Sequence, residues 1–241
     1  MLELLFPARC VVCGATGVVA CDGCLARLRR IRAPLCERCG APTAWPVRRC
    51  AECSRRRIAF ASARAAVAYD GAARALVSAW KHRALRRLAA PAAAVVAATL
   101  PPPRVSVLVA VPGDPERWLS RGHHPAAALA VELGRLWAVP VEPLLTRRHA
   151  PPQQGLPRAR RRRNVAGAFR ASGRSPPRVA LVDDVYTTGS TASAAASALR
   201  RAGAREVHVI TLARAIRSAA IPIESEHRVE KPEKERRCVF R

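Results

Sequence analysis

The stretch RVALVDDVYTTGSTASAAASALRRAGA, residues 178–204, contains the strongest indication of the fold of this chain. Its apolar run at residues 179–182 has the length of a buried strand. Asp183 and Asp184 follow directly, and then comes a loop of small hydroxylated residues. An alanine-rich segment follows the loop and meets a helix stop signal at Gly203. This order predicts a strand whose carboxyl end carries two acids and faces a helix N-terminus.

The loop after the two acids is predicted to bind a phosphate group. Backbone N–H groups and the positive end of a helix dipole attract an anion at such a place. Hydroxyl groups add donors, and a glycine permits close approach of the backbone. The residues concerned are Thr187, Thr188, Gly189, Ser190 and Thr191. Because Asp183 and Asp184 would repel a bare phosphate, they indicate a ligand that also carries a sugar diol. The alternative is that the stretch is an ordinary strand followed by a capped helix and binds no ligand.

The cysteines predict two zinc sites. Eight of the nine cysteines lie in the first 53 residues as four CxxC pairs, namely Cys10/Cys13, Cys21/Cys24, Cys36/Cys39 and Cys50/Cys53. Eight thiolates fill two tetrahedral sites and leave no position for a catalytic water, so both sites are expected to be structural. Sequential pairing of the motifs is the simplest arrangement, while an interleaved arrangement and a redox CxxC remain open. The lone Cys238 is expected to have no role.

Charge and length restrict the possible functions further. The formal net charge is +25, and all but three of the 42 basic residues are arginine, Lys81 being one of the exceptions. Codon bias of a GC-rich genome explains such a composition, and so does recognition of phosphate by guanidinium groups. No apolar run approaches the roughly 18 residues of a membrane span, and the chain begins without a basic leader. A cytoplasmic protein without membrane contact is therefore expected.

Strand-like and helix-like segments alternate through the middle of the chain. Residues 105–111 and 207–212 have the composition of buried strands, and residues 139–141 of a short further strand. Residues 72–88 and 126–137 have apolar side chains at helical spacing. The alternation predicts an α/β fold in which helices flank a mainly parallel sheet, with ligand at the carboxyl ends of the strands.

The composition suggests three segments. Residues 1–54 are expected to form the zinc module, residues 58–217 the α/β domain, and residues 218–241 a charged, disordered tail. The arginine-rich stretch at residues 146–164 has no periodicity, so it is expected to be a loop. It could close over a ligand as a lid or lie on the surface without contacting it.

Residues 178–204 resemble the ligand-binding motif of the type I phosphoribosyltransferases, which bind 5-phosphoribosyl 1-pyrophosphate. The resemblance implies that Asp183 and Asp184 meet the ribose hydroxyls and that residues 187–191 hold the 5′-phosphate, with Mg²⁺ bound to the diphosphate. Four CxxC pairs ahead of such a motif resemble the ComF-type competence family, which is related to the GntX-type proteins. This likeness covers most of residues 1–214.

The family resemblance adds three candidate ligand-binding residues, which are Lys81, Arg121 and Arg147. Arg121-Gly122 matches the start of the family's RGFNQ element, but His123, His124 and Pro125 replace the rest. The two histidines could make the ligand contacts of the residues they replace, but a solvent-exposed pair in a loop is expected, and no metal site.

Two functions follow as expectations. The first is a phosphoribosyltransferase that displaces pyrophosphate from 5-phosphoribosyl 1-pyrophosphate with Mg²⁺ and transfers the sugar to an unknown acceptor. The second is a non-catalytic accessory protein of DNA uptake that binds single-stranded DNA or a helicase. The acceptor is expected to bind against a hood formed by the zinc module and the chain up to about Leu100.

Overall fold

The computed structural model describes residues 7–83, 85–114, 122–147 and 167–216. The helices of these residues are α1 (Asp22–Ala26), α2 (Ala51–Ser54), α3 (Gly71–His82), α4 (Ala89–Thr99), α5 (Pro125–Trp137) and α6 (Ser190–Arg201). The strands are β1 (Ser62–Ala68), β2 (Val107–Ala110), β3 (Leu145–Arg147), β4 (Phe169–Ala171), β5 (Arg178–Tyr186) and β6 (Glu206–Arg214).

The main sheet has four strands in the order β1-β6-β5-β2, and every neighbouring pair is parallel. Strand β5 is flanked on both sides, by β6 and β2, which explains why its residues 179–182 form a continuous apolar run. The predicted parallel α/β sheet is thus confirmed. The expected strand at residues 139–141 is reduced to a single bridge between Leu108 and Val141.

Apolar side chains of β5 alternate between two cores, one on each face of the sheet. Ala180 and Val182 pack with the helices α3, α4 and α5, whose largest fully buried side chain is Trp80. Val179 and Leu181 pack on the other face with α6 and with Cys36, Cys39 and Cys53. The zinc module therefore contributes to both cores, since Ala20 and Leu28 belong to the first one.

The helix predicted for residues 72–88 is shorter than expected. Helix α3 begins after Asp70, whose side chain accepts a hydrogen bond from the Ala73 N–H at 3.5 Å, and ends at His82. A 3₁₀ turn at Arg86–Leu88 precedes α4. A straight helix would carry Leu88 about 12 Å beyond Trp80, whereas the break lets both side chains enter the same core. Among the described residues, no helix combines the length and the apolarity needed to cross a membrane.

The segment between Cys24 and Cys36 runs along the edge of the sheet. The Ile31 N–H donates to the Ala66 carbonyl at 2.9 Å, and Arg30 forms an antiparallel bridge with Val67 of β1. A separate antiparallel pair, β3 and β4, lies beside α6. The zinc module is therefore bound to the α/β domain through backbone hydrogen bonds as well as side-chain packing.

Candidate functional site

Two carboxylates lie at the carboxyl end of the flanked strand β5. The strand continues to Tyr186, so Asp183 and Asp184 belong to the sheet and not to the loop, because pairing with β6 keeps them extended. The Asp184 N–H donates to Asp183 Oδ1 at 2.9 Å. Lys81 Nζ, from the last turn of α3, lies 2.8 Å from Asp184 Oδ1. The lysine predicted to bind ligand thus neutralises one of the two acids.

The second carboxylate, Asp183, is poorly compensated. Burial is the largest influence on this carboxyl, and the neighbouring charge of Asp184 adds to it; together they raise the pKa of Asp183 to about 7. Lys81 and Arg147 oppose the shift only in part. Strongly perturbed acids in a cleft are typical of ligand-binding and catalytic sites, where a bound group favours the charged form.

The loop after β5 leads into helix α6 through a glycine in the left-handed conformation. Gly189 has a φ of 70° and occupies the N-cap position, so no N-cap side chain covers the first N–H groups of the helix. A Cβ atom at this position would overlap the hydroxyl of Tyr186. Thr188 Oγ1 lies 3.0 Å from Ser190 Oγ. Thr188 Oγ1 also accepts the Ser190 N–H at 3.4 Å, so the later amides of the first turn, together with the hydroxyl groups, are the elements of an anion site.

The two carboxylates and part of the loop after β5 line one cavity of about 530 Å³. Six of the predicted ligand-binding residues line it, namely Lys81, Arg147, Asp183, Asp184, Thr187 and Thr191. Thr188, Gly189 and Ser190 lie in the adjoining loop and at the helix start, outside the lining of the cavity. The Arg147 guanidinium, at the end of strand β3, lies 5.6 Å from the centre of the Phe169 ring. This contact helps to fix the position of the guanidinium. Arg121 and the run at residues 160–163 lie outside the described residues.

The expectation that His123 and His124 form a solvent-exposed pair is wrong. His123 is buried and His124 is half-buried, and both line the cavity. His124 Nδ1 accepts the Ala127 N–H at 3.0 Å and so caps helix α5. Burial lowers the pKa of His124, which favours the neutral ring that such a cap requires. The following Pro125, at the first helical position, is the sequence signal that could have identified the cap.

The eight paired cysteines form two separate groups. Cys10, Cys13, Cys21 and Cys24 form the first, and Cys36, Cys39, Cys50 and Cys53 form the second; in each group the sulfur atoms lie within 4.8 Å of one another. None of these described cysteines is in a disulfide. The sequential pairing is confirmed, and each group has the ligand set of a structural zinc site.

Hydrogen bonding and protonation within the groups fit a bound cation. Burial would raise the pKa of Cys10, but backbone N–H groups, those of Cys13 and Cys21 first, outweigh it and lower the pKa to about 6. In contrast, burial and the neighbouring Cys21 raise the pKa of Cys24 to about 12. Four thiolates can therefore coexist only around a cation such as Zn²⁺, which displaces the remaining protons.

The second group of cysteines is coupled to the loop at residues 187–191 through two arginines that sequence reasoning missed. Arg214, at the end of β6, donates to the Cys39 carbonyl at 2.6 Å and to Glu52 Oε2 at 2.7 Å. Its guanidinium also lies 4.5 Å from the centre of the Tyr186 ring. Arg56, just after α2, donates to the Thr188 carbonyl and, at 3.3 Å, to Ser190 Oγ.

Comparison with known proteins agrees with this combination of parts. The parallel sheet and the two amino-terminal groups of four cysteines identify the chain as an α/β protein with a double zinc ribbon. The family model of the double zinc ribbon domain matches residues 1–57. Competence protein F of Haemophilus influenzae is 30% identical over 227 residues, which cover 87% of this chain and 98% of that protein. The chain belongs to the competence protein F family.

Solved structures are similar at a lower level. The purine phosphoribosyltransferase of Pyrococcus horikoshii matches 58% of this chain and 91% of its own, with 18% sequence identity and a TM-score of 0.33. A similarity at that level assigns neither a fold nor an activity.

Purified protein should contain about two zinc ions per chain. Cys13→Ser, at an exposed ligand of the first group, should reduce the content to about one ion, because three thiolates hold Zn²⁺ much less tightly. Cys238→Ser serves as the matched control and should leave two ions. Elemental analysis of anaerobically purified protein measures both. Zinc-free protein, or unchanged zinc in Cys13→Ser, would contradict the assignment.

Asp183→Asn should stabilise the ligand-free protein at high pH. Because the pKa of Asp183 is raised from 3.8 to about 7, the folded protein holds a proton that the unfolded chain releases between these values. The free energy of unfolding contributed by this group therefore falls as pH rises from about 4 to 7. Asparagine cannot ionise, so at pH 8 the variant should be more stable by about 1–4 kcal/mol. Urea unfolding measures the difference, which should disappear near pH 4; a variant that is less stable at pH 8 would contradict the account.

Proposed function

We propose that the protein binds 5-phosphoribosyl 1-pyrophosphate together with Mg²⁺ at the carboxyl end of β5 and acts as a phosphoribosyltransferase in DNA uptake. The observation that carries this proposal is the placement of Asp183 and Asp184 beside the N-terminus of helix α6, where Gly189 is the N-cap residue. A sugar with a terminal phosphate matches both halves of this site. The name of the Haemophilus influenzae relative, competence protein F, supports the cellular context.

Each part of the ligand has a corresponding group in the site. Asp183 and Asp184 would accept hydrogen bonds from the ribose hydroxyls, which favours the ionised form of both acids. The amides of the loop and the hydroxyls of Thr187 and Thr191 would hold the 5′-phosphate. Arg147, which lines the same cavity, would pair with the diphosphate. Carboxylates and phosphate oxygens are also the ligands that Mg²⁺ prefers.

The reaction requires no nucleophilic side chain of the protein. The bond from C1 of the ribose to the diphosphate oxygen breaks and its electron pair leaves with the diphosphate. A lone pair of the acceptor then forms the new bond to C1. Since positive charge develops on the sugar and negative charge on the leaving group, the protein acts by positioning and by preorganised charge. Lys81 and Arg147 are the cations of the described cavity that could stabilise the departing diphosphate.

Binding and transfer are separable at this site. A competence protein that held the sugar pyrophosphate without transferring it, or that acted on single-stranded DNA or a helicase, would need the same fold but no acceptor. Pyrophosphate release in the presence of candidate bases and amines, measured with zinc-loaded protein, distinguishes the enzyme from the binding protein. Release that depends on one acceptor supports transfer, and binding without release supports the non-catalytic role.

Calorimetry with the sugar pyrophosphate and Mg²⁺ should separate the two halves of the site. Asp183→Asn and Asp184→Asn should each weaken binding about ten- to a hundredfold, because a hydrogen bond to a charged group contributes roughly 1.5–3 kcal/mol. Gly189→Val should nearly abolish binding, since its φ is positive and its side chain would collide with Tyr186. Inorganic phosphate should still compete in the aspartate variants.

The matched control for the glycine is Gly173→Val, because a Cβ atom there meets nothing within 4 Å. This variant should bind like the wild type. Absence of binding by zinc-loaded wild-type protein, or equal binding by Gly189→Val and Gly173→Val, would refute the proposed site.

A further inference from the structure

A second cavity, of about 850 Å³, lies at the opposite edge of the sheet. Ser62, Arg178 and Glu206, the first residues of β1, β5 and β6, line it. Along β5, Arg178 and Asp183 are five residues apart, which corresponds to about 17 Å. The cavity is therefore distinct from the site at the carboxyl ends of the strands.

One wall of this cavity is strongly cationic. The arginines that line it are Arg30, Arg32, Arg64, Arg104 and Arg178. Within the part of the chain that the structure describes, none of the five has a carboxylate within 4.0 Å. Burial lowers the pKa of Arg30, and repulsion from Arg32 adds to the effect. An excess of unpaired guanidinium groups in a concave site favours a ligand with more than one phosphate.

Two of the five arginines are held in place by backbone carbonyls, and Arg30 is one of them, since it donates to the Leu25 carbonyl at 3.3 Å. Arg64 donates to the Glu37 carbonyl at 2.9 Å and to the Ala63 carbonyl at 2.7 Å, so part of the wall is preorganised. Arg30 and Arg32 lie on the segment that pairs with the edge of β1. Codon bias accounts for many arginines in the chain, but it does not explain why five of them surround one cavity.

The remaining walls have a different chemistry. Apolar groups come from the end of α4, the proline run after it and strand β6; among them are Ala98, Leu100, Pro101, Pro102, Val209 and Ile210. The Glu206 carboxylate is 56% exposed and lies 3.8 Å from His208 Nε2. Ser62 Oγ lies 2.8 Å from His208 Nδ1. A carboxylate in a cationic cavity disfavours a bare polyphosphate but accepts hydrogen bonds from sugar hydroxyls.

We propose that this cavity binds a nucleoside diphosphate. The arginines bind the phosphates, Glu206 accepts from the ribose hydroxyls, and the apolar wall around Pro102 packs against the base. The volume lies within the roughly 300–1,000 Å³ that is usual for small-molecule sites, and the wall formed by residues 30–35 gives the site a concave shape. These features favour a small nucleotide over a nucleic-acid strand, which needs an open groove.

The test uses calorimetry of ADP with the full, zinc-loaded chain. The triple variant Arg32→Gln, Arg104→Gln and Arg178→Gln removes three exposed lining charges that make no hydrogen bond to the described protein. The matched control is Arg135→Gln, Arg174→Gln and Arg201→Gln, which has the same net charge but leaves the cavity intact. ADP should bind the first variant at least about 100-fold more weakly than the wild type, and the control within about threefold.

Three further measurements separate this site from other sources of anion binding. Gly189→Val should keep its ADP affinity, so failure of the sugar-pyrophosphate site leaves this result unchanged. Inorganic pyrophosphate should bind at least about tenfold more weakly than ADP, because it lacks the base and the sugar. Single-stranded oligonucleotide should not displace ADP at equal phosphate concentration.

The opposite results would overturn the proposal. If Gly189→Val lost ADP binding and the arginine triple variant kept it, ADP would be assigned to the loop at residues 187–191. Equal binding of pyrophosphate and ADP would reduce the cavity to a general anion site. Displacement by the oligonucleotide would identify a nucleic-acid surface, and absence of ADP binding by the wild type would exclude the site altogether.

Discussion

The buried guanidinium of Arg214 joins the zinc ribbon to the candidate ligand site. The residue is 1% exposed, and it reaches the Cys39 carbonyl and Glu52 on the ribbon while its charge lies over the ring of Tyr186. A buried cation is tolerated only where partners compensate its lost hydration, and removal of one partner from such a pair typically costs about 3–5 kcal/mol. The ends of β5 and β6 and the second cysteine group are therefore fixed relative to one another.

This constraint gives the zinc ribbon a role in the geometry of the site. Tyr186 packs directly beneath Gly189, and Arg56 of the ribbon holds the carbonyl of Thr188. The strand on one side and the ribbon on the other consequently set the shape of the loop at residues 187–191. Zinc in the second group would then act on ligand binding through the position of the loop, since its four thiolate ligands leave no open coordination position.

Sequence patterns predicted the features that depend on neighbouring residues. The apolar run at residues 179–182 and the CxxC spacing are local signals, so the central strand and the presence of two four-cysteine sites could be predicted. Which CxxC pairs share a site depends on the fold of the segment, so sequential pairing is only the simplest of the arrangements left open. The contacts of Arg214 could not, because it lies 175 residues from Cys39 and nothing in the sequence distinguishes it from the chain's many exposed arginines. Likewise, pairing with β6 extends strand β5 through Asp183 and Asp184. The residues themselves do not predict this extension, because two acids after an apolar run have a low propensity for strands.

The most direct test of the account is amide hydrogen exchange of the zinc-loaded chain with and without 5-phosphoribosyl 1-pyrophosphate and Mg²⁺. Exchange reports local protection segment by segment, so it locates the bound ligand without assuming which residues bind it. The account predicts slower exchange in residues 187–191 on addition of the ligand, with residues 98–104 at the opposite edge of the sheet unchanged. Unaltered exchange in residues 187–191, or protection confined to the opposite edge, would contradict it.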